Sequence, residues 1–258
     1  MTETLPLPSF WELEAPADWS AIDFISDLHL AEDTPRTFEA WAHHMRHTSA
    51  SAVLILGDLF ELWIGDDDRR TGFAARCADV LADAATRRSV AFMAGNRDFL
   101  VGGDLLQECG VMALPDPTVL LAFGERLLLA HGDALCLDDR PYQAFRAQVR
   151  SPAFQRDFLA LPLEERRARA RAMRDGSQAR KEGPGMADWV DVDRATAVRW
   201  QHEANAPTMI HGHTHRPGHE DLAPGFMREV LSDWDLDHAD RAEVLRLRRS
   251  GLVRLRPE

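Results

Sequence analysis

The chain has 258 residues, 45% of them hydrophobic, and a formal net charge of −12. That length is enough to bury a sizeable core as one α/β domain, or as a core with a lid, and the acidic balance argues against a nucleic-acid-binding surface. Cys77, Cys109 and Cys136 form no CxxC pair, which argues against a disulfide framework or zinc ribbon, and no segment reaches the roughly 18 apolar residues of a membrane span.

Residues 1–20 lack a basic region followed by an apolar one, so no secretory leader is expected and the protein is expected in the cytoplasm. Residues 1–19, rich in prolines and acidic turns around Trp11 and Trp19, read as an irregular, loosely packed N-terminal extension. Residues 21–25 (AIDFI) give the first strand, and 37–48 a helix with Phe38, Trp41 and Met45 on one face. His43, His44 and His47 on that helix read as a solvated cluster. The run 52–56 (AVLIL) is that of a strand buried on both faces. An alanine-rich helix over 72–88 and a strand over 90–94 follow. Gly124-Glu125 between two apolar runs signals a hairpin over 119–130, so the sheet is mixed. Residues 138–200 read as a mostly helical insertion carrying Phe145, Val149, Phe154, Phe158, Leu159 and Leu161, then an arginine-rich stretch. Another strand leads out of 207–210. Three alternating segments in 226–257 read as antiparallel strands that complete a second sheet.

Against this frame stand five short strings: Asp27-Leu28-His29, Gly57-Asp58, Gly95-Asn96-Arg97-Asp98, His131-Gly132-Asp133, and His211-Gly212-His213-Thr214-His215. Four of them directly follow an apolar run, which puts carboxylate, imidazole and amide groups at the same ends of several strands. Ligand sites in open α/β sheets gather there. Taken singly, Asp27 and Asp58 could be helix caps and His131 a core histidine; together, the strings point to metal. His211 lies on the strand side of Gly212 and is left out of the ligand set. With oxygen and imidazole donors and no thiolate, the set favours Mn²⁺, Fe or Zn²⁺ over copper or an iron–sulfur cluster. Two ions about 3.5–4 Å apart can activate water and stabilise a phosphoryl group under in-line attack.

The strings resemble the calcineurin-like metallophosphoesterases, from about residue 21 to 216. The resemblance implies a four-layer α/β/β/α sandwich of two mixed sheets with a helical lid inserted at about 138–200, in a domain spanning 20–258. It implies that Asp27, His29 and His215 hold one ion, that Asn96, His131 and His213 hold the other, and that Asp58 bridges. The chain departs from the wider pattern at Arg97, where many members carry histidine. Arginine cannot donate a proton to a poor leaving group, but it can clamp phosphate oxygens with a fork of donors. A pyrophosphate bond, whose leaving group is itself a phosphate, fits that change.

Longer strings (57–67, 95–100, 131–136, 142–146 and 211–217) narrow the resemblance to a branch of the family. That branch cleaves the pyrophosphate of UDP-2,3-diacylglucosamine to UMP and a diacylated sugar 1-phosphate in lipid A biosynthesis, with two Mn²⁺ ions, at the cytoplasmic face of the inner membrane. The resemblance implies catalytic roles for Asp58, Asn96, Arg97 and His213. It implies substrate contacts at Asn96, Arg97, His213, Asp139, Tyr142 and Ser177. Past Ser177 the stretch 178–185 departs from the branch's pattern, and Arg180 and Lys181 are expected as phosphate contacts on their charge alone. The apolar residues of the insertion would line an acyl-chain chamber, with a helical mini-core as the alternative. A glycolipid nucleotide substrate, peripheral membrane contact, no nucleic acid and a monomer are expected. Two rivals are a phosphodiesterase or nucleotide phosphatase of the same scaffold acting on a soluble substrate, and a non-catalytic binding scaffold, which would be expected to lose ligands.

Overall fold

In chain order the elements are β1 (Trp11–Glu14), β2 (Ile22–Ile25), α1 (Pro35–His47), β3 (Ala52–Leu56), α2 (Gly72–Ala85), β4 (Ser89–Met93), α3 (Gly103–Cys109), β5 (Met112–Ala113), β6 (Thr118–Ala122) and β7 (Glu125–Ala130). There follow α4 (Arg140–Val149), α5 (Pro152–Leu159), α6 (Leu163–Lys181), α7 (Arg194–Glu203), β8 (Thr208–His211), β9 (Gly218–Ala223), β10 (Phe226–Val230), β11 (Val244–Arg248) and β12 (Gly251–Leu255). The computed structural model describes residues 6–181 and 190–258, with side chains as far as 173 on α6.

The strands form two six-stranded mixed sheets, β1-β6-β7-β8-β10-β9 and β12-β11-β2-β3-β4-β5. Alternation of side chains across each strand sorts the apolar residues into three layers. Ala52, Leu54 and Leu56 of β3 face the other sheet and meet Leu120, Leu127, Leu129 and Ile210. Val53 and Ile55 point the other way, into a core with Phe38 and Trp41 of α1 and Val80 and Leu81 of α2. On the far side, Val119, Leu128 and Met209 pack against Ala197 and Trp200 of α7. The result is the four-layer α/β/β/α sandwich. Within the insertion, α7 covers a sheet, so the helices that stand beside the site are α4 to α6.

Three expectations are corrected. The N-terminal stretch is not an irregular tail throughout: β1 pairs in parallel with β6, and Leu13 and Trp19 are buried in the core between the sheets. Nor do the C-terminal segments complete one sheet. Strand β10 runs parallel to β8 and antiparallel to β9, whereas β11 pairs with β2 and β12 in the other sheet. His44 leaves the solvated cluster. Its Nε2 lies 3.2 Å from Asp23 Oδ2, in a buried network where Arg246 Nε also donates to Asp23 at 2.6 Å. Burial pushes the Asp23 carboxyl up, but hydrogen bonds from Arg246, His44 and Thr48 more than reverse that and hold it at about 2.

Candidate metal centre

The strands β2, β3, β4, β7 and β8 all end at one place, and each is followed by one of the five strings. In an extended segment Asp27 and His29, two residues apart, would share one face but stand about 6.6 Å apart along the strand. They converge because the backbone leaves the strand geometry: Asp27 has φ 55° and His29 φ 48°. Asp58, His213 and His215 share this left-handed region, at φ 52°, 64° and 51°. Non-glycine residues enter it at a steric cost, and such residues cluster at functional sites. The loops after β2 and β3 hold each other there, His29 N–H donating to Asp58 O at 3.0 Å and Leu30 N–H to Leu59 O at 2.9 Å.

Two glycines permit the close approach of the outer strings. A Cβ on Gly95 would overlap Asp58 Oδ1, and one on Gly212 would overlap Asp27 Oδ2. Without those carbons, Arg97 N–H donates to Asp58 Oδ1 at 2.8 Å and His213 N–H donates to Asp27 Oδ2 at 2.9 Å. Asp98 binds the same loops from below. Its carboxylate accepts the N–H groups of Gly95 at 2.7 Å and Leu59 at 2.8 Å, and burial together with the neighbouring Asp58 pushes it up to about 7.

All seven side chains expected as ligands come together. Asp27, His29 and His215 bring donor atoms within 4.8 Å of one another, and so do Asp27, Asp58 and His131. His29 Nε2 and His215 Nε2 face each other at 3.3 Å. Asn96 Oδ1 lies 3.0 Å from His131 Nε2 and 2.8 Å from His213 Nδ1. Asp58 stands between the two groups, its Oδ2 3.8 Å from His29 Nε2 and its Oδ1 3.7 Å from His131 Nε2. His211 joins neither group: it is buried with Nδ1 2.9 Å from Gly212 O.

The donor set fits divalent cations on three observations. Among the described residues Asp27 Oδ1 is buried and meets only ligand imidazoles, His215 Nε2 at 3.4 Å and His29 Nε2 at 4.0 Å, so a buried carboxylate oxygen is aimed into the cluster. Burial pushes His131 and His215 down, yet the carboxylates around each raise both to about 9. The negative field at these two imidazoles thus calls for positive charge, which two ions would supply with release of protons. Finally, burial raises the thiols of Cys77, Cys109 and Cys136 to about 12, 11 and 12, and none of the three belongs to either donor group among the described residues.

The imidazoles are also held from behind. His131 Nδ1 lies 2.9 Å from Leu56 O, His29 Nδ1 lies 3.0 Å from Glu61 Oε2, and His215 Nδ1 lies 3.5 Å from Asp233 Oδ2. Such partners fix ring orientation and raise ligand basicity. Glu61 also reaches Arg97, whose NH1 is 3.7 Å from Oε1. Sequence reasoning missed Glu61 and Asp233. Glu61 sits three residues after Asp58, a spacing that could have raised it; Asp233 carries no local signal. Glu61→Gln is expected to weaken divalent-metal binding by about 10–100-fold. Calorimetric titration of the metal-stripped protein checks this, and an unchanged affinity would contradict it.

Of the residues expected to touch substrate, Tyr142 is at the centre's edge, its ring 5.8 Å from that of His213. Its hydroxyl donates to Asp133 at 2.6 Å, and burial beside Asp133 pushes that hydroxyl far above the ordinary tyrosine range. Asp139 caps α4, accepting the Tyr142 N–H at 3.0 Å. The side chains of Ser177, Arg180 and Lys181 lie outside the described residues. Among the lid's apolar residues, Val149 and Phe158 are buried, and Phe158 belongs to the core with Phe60 and Trp63. Phe154 and Leu161 pack against that core, whereas Phe145 and Leu159 are exposed. Phe154, Phe158 and Leu161 thus join the main core rather than forming a separate helical mini-core.

A family model described as calcineurin-like phosphoesterase matches residues 20–217. A UDP-2,3-diacylglucosamine hydrolase of Chromobacterium violaceum is 45% identical over 240 residues, covering 90% of this chain and 97% of its own. One from Stenotrophomonas maltophilia is 42% identical over 245 residues, covering 88% of this chain and 95% of its own. Among solved structures, Yfce, a phosphoesterase from E. coli, aligns with a TM-score of 0.42 and 16% identity, covering 92% of this chain and 100% of its own.

Proposed function

The chain belongs to the calcineurin-like phosphoesterase family, and from that premise we propose that it hydrolyses the pyrophosphate bond of UDP-2,3-diacylglucosamine to UMP and 2,3-diacylglucosamine 1-phosphate, a step of lipid A biosynthesis. The observation that carries the reading is Asp58 standing between two donor groups with Arg97 bonded to it through the main chain. Relatives named for this substrate at 42–45% identity support the choice among phosphoesters.

Asp27, His29 and His215 would hold one ion and Asn96, His131 and His213 the other, with Asp58 shared. When bound, the pair supplies Lewis acidity and lowers the pKa of an attacking water. Asp58 holds its two oxygens toward opposite donor groups. Asn96 and His213 would orient phosphoryl oxygens as well. Arg97 offers a fork of N–H donors to the same oxygens and holds its proton throughout. A phosphate leaving group needs no proton, which is why arginine serves where an alkoxide would require an acid. Mn²⁺ is the ion proposed here; a mixed oxygen and imidazole set suits it, as it suits iron or zinc.

Among the described residues no helix is long and apolar enough to cross a membrane. Exposed Phe145, Leu159 and Met173 on the lid support acyl-chain contact and peripheral attachment to the cytoplasmic face of the inner membrane. A phosphodiesterase for a soluble substrate would have no use for that surface. Asp139, Tyr142, Ser177, Arg180 and Lys181 complete the proposed substrate contacts.

Product identification tests the bond assignment: UMP and a sugar phosphate are expected, and release of UDP or inorganic phosphate would overturn it. The lid makes a second prediction. Phe145→Asp is expected to raise KM for the diacylated substrate roughly tenfold, the weight of one apolar anchor, and to leave a small chromogenic phosphodiester unaffected. Phe158→Asp instead buries an unpaired charge and is expected to lower Tm and depress turnover of both substrates. Equal loss on both substrates for Phe145→Asp would place that residue in the core.

A further inference from the structure

The turn that follows the Asp58 loop carries an ion-pair cluster for which the metal chemistry has no use. Arg166 of α6 is a lid arginine with its side chain only 3% exposed. Its guanidinium is fully engaged. NH1 donates to Ile64 O at 2.6 Å and to Asp67 Oδ1 at 2.8 Å, NH2 donates to Asp67 Oδ2, and Nε donates to Leu161 O at 3.0 Å. Gly65, at φ +132°, makes room for it: a Cβ there would overlap Arg166 NH1 and reach within 2.8 Å of Leu159 Cδ2. The next residue of the helix, Arg167, donates to Asp68 at 2.6 Å.

The same turn is tied to the catalytic side. Asp66 accepts the Trp63 indole N–H at 2.9 Å and the Gly102 and Leu105 N–H groups at 3.0 and 2.9 Å. Trp63 N–H in turn donates to Arg97 O at 3.2 Å. One face of the turn therefore holds the loop of Arg97, and the other holds α6. A buried, bidentate arginine resists replacement by a point charge, and its location defines where α6 can sit relative to the phosphate clamp.

We propose that Arg166, docked in the 65–68 turn, is a positioning residue that fixes the lid in register with the metal centre and thereby sets selectivity for a large lipid-linked substrate over a small diester. The inference rests on the lipid-linked substrate proposed above. It is tested in the full chain with Arg166→Met and with Asp67→Asn; the second removes the partner charge at a carboxylate that is 58% exposed and so spares the core. In both, KM for UDP-2,3-diacylglucosamine is expected to rise roughly tenfold, the weight of one charge-assisted hydrogen bond. The kcat on that substrate, turnover of bis(p-nitrophenyl) phosphate and bound-metal content should stay as in the parent. Amide hydrogen exchange over 163–173 should accelerate in both variants. Parallel loss on both substrates, or unchanged exchange at 163–173, would overturn the proposal. If the parent protein turns over only the small diester, the substrate reading has failed, and the exchange experiment alone decides whether the turn holds α6.

Discussion

Replacing Asp58 with alanine is expected to abolish turnover and to leave a folded chain with one bound divalent ion or none. The argument is geometric. Among the described residues Asp58 is the one carboxylate within 4 Å of imidazoles from both donor groups, at 3.8 Å from His29 and 3.7 Å from His131. Its loss takes a ligand from each proposed ion at once. It also takes the acceptor from the Arg97 N–H, so the clamp loses its anchor together with the metals. The fold should survive, because the loop remains sewn to Asp98 through Leu59 and Phe60 N–H at 2.8 and 3.3 Å. Metal analysis of the purified variant beside its circular dichroism separates the outcomes. Two tightly bound ions in folded Asp58→Ala protein would remove Asp58 from the bridging role.

Arg97→Ala is expected to lower kcat by roughly 10²–10³, the cost of removing one preorganised donor from a developing oxyanion. Arg97→Lys is expected to recover little of this, since an ammonium cannot reproduce the bidentate fork. The geometry adds a reason for the arginine's efficacy. Its side chain is only 15% exposed and its NH1 lies 3.7 Å from Glu61 Oε1, so its orientation is restrained before substrate arrives. If the leaving group needs no proton, the parent pH–rate profile should show a limb for the activated water and none for a neutral-range side-chain acid. Loss on Arg97→Ala that scales with leaving-group pKa would instead assign Arg97 to proton delivery through an ordered water.

Much of the fold was legible where local pattern and burial agree. Residues 52–56 form β3 to the residue, because a strand between two apolar layers must be apolar on both faces. The hairpin signalled by Gly124-Glu125 is present, but its turn is Phe123-Gly124, at φ 56° and 92°, and Glu125 already begins β7; only the glycine of that turn was legible. Sheet membership was not legible at the C-terminus. The alternation in Phe226–Val230 marks a strand, but its parallel partner β8 is chosen by tertiary packing. Three histidines at helical spacing look alike in sequence, and His44 is distinguished only by Asp23 and Arg246 from other strands. At the site, the proposed ligands were legible because each follows its strand directly. Glu61, Asp233 and Arg166 were not, because each acts on a partner that only the fold brings near.

The most direct test is UMP release by the metal-stripped chain from UDP-2,3-diacylglucosamine, with UDP-glucose as the control, before and after Mn²⁺ is restored. The account predicts no release without metal, rapid release of UMP from the diacylated substrate on adding Mn²⁺, and negligible release from UDP-glucose. Metal-independent release, or equal rates on the two substrates, would contradict it.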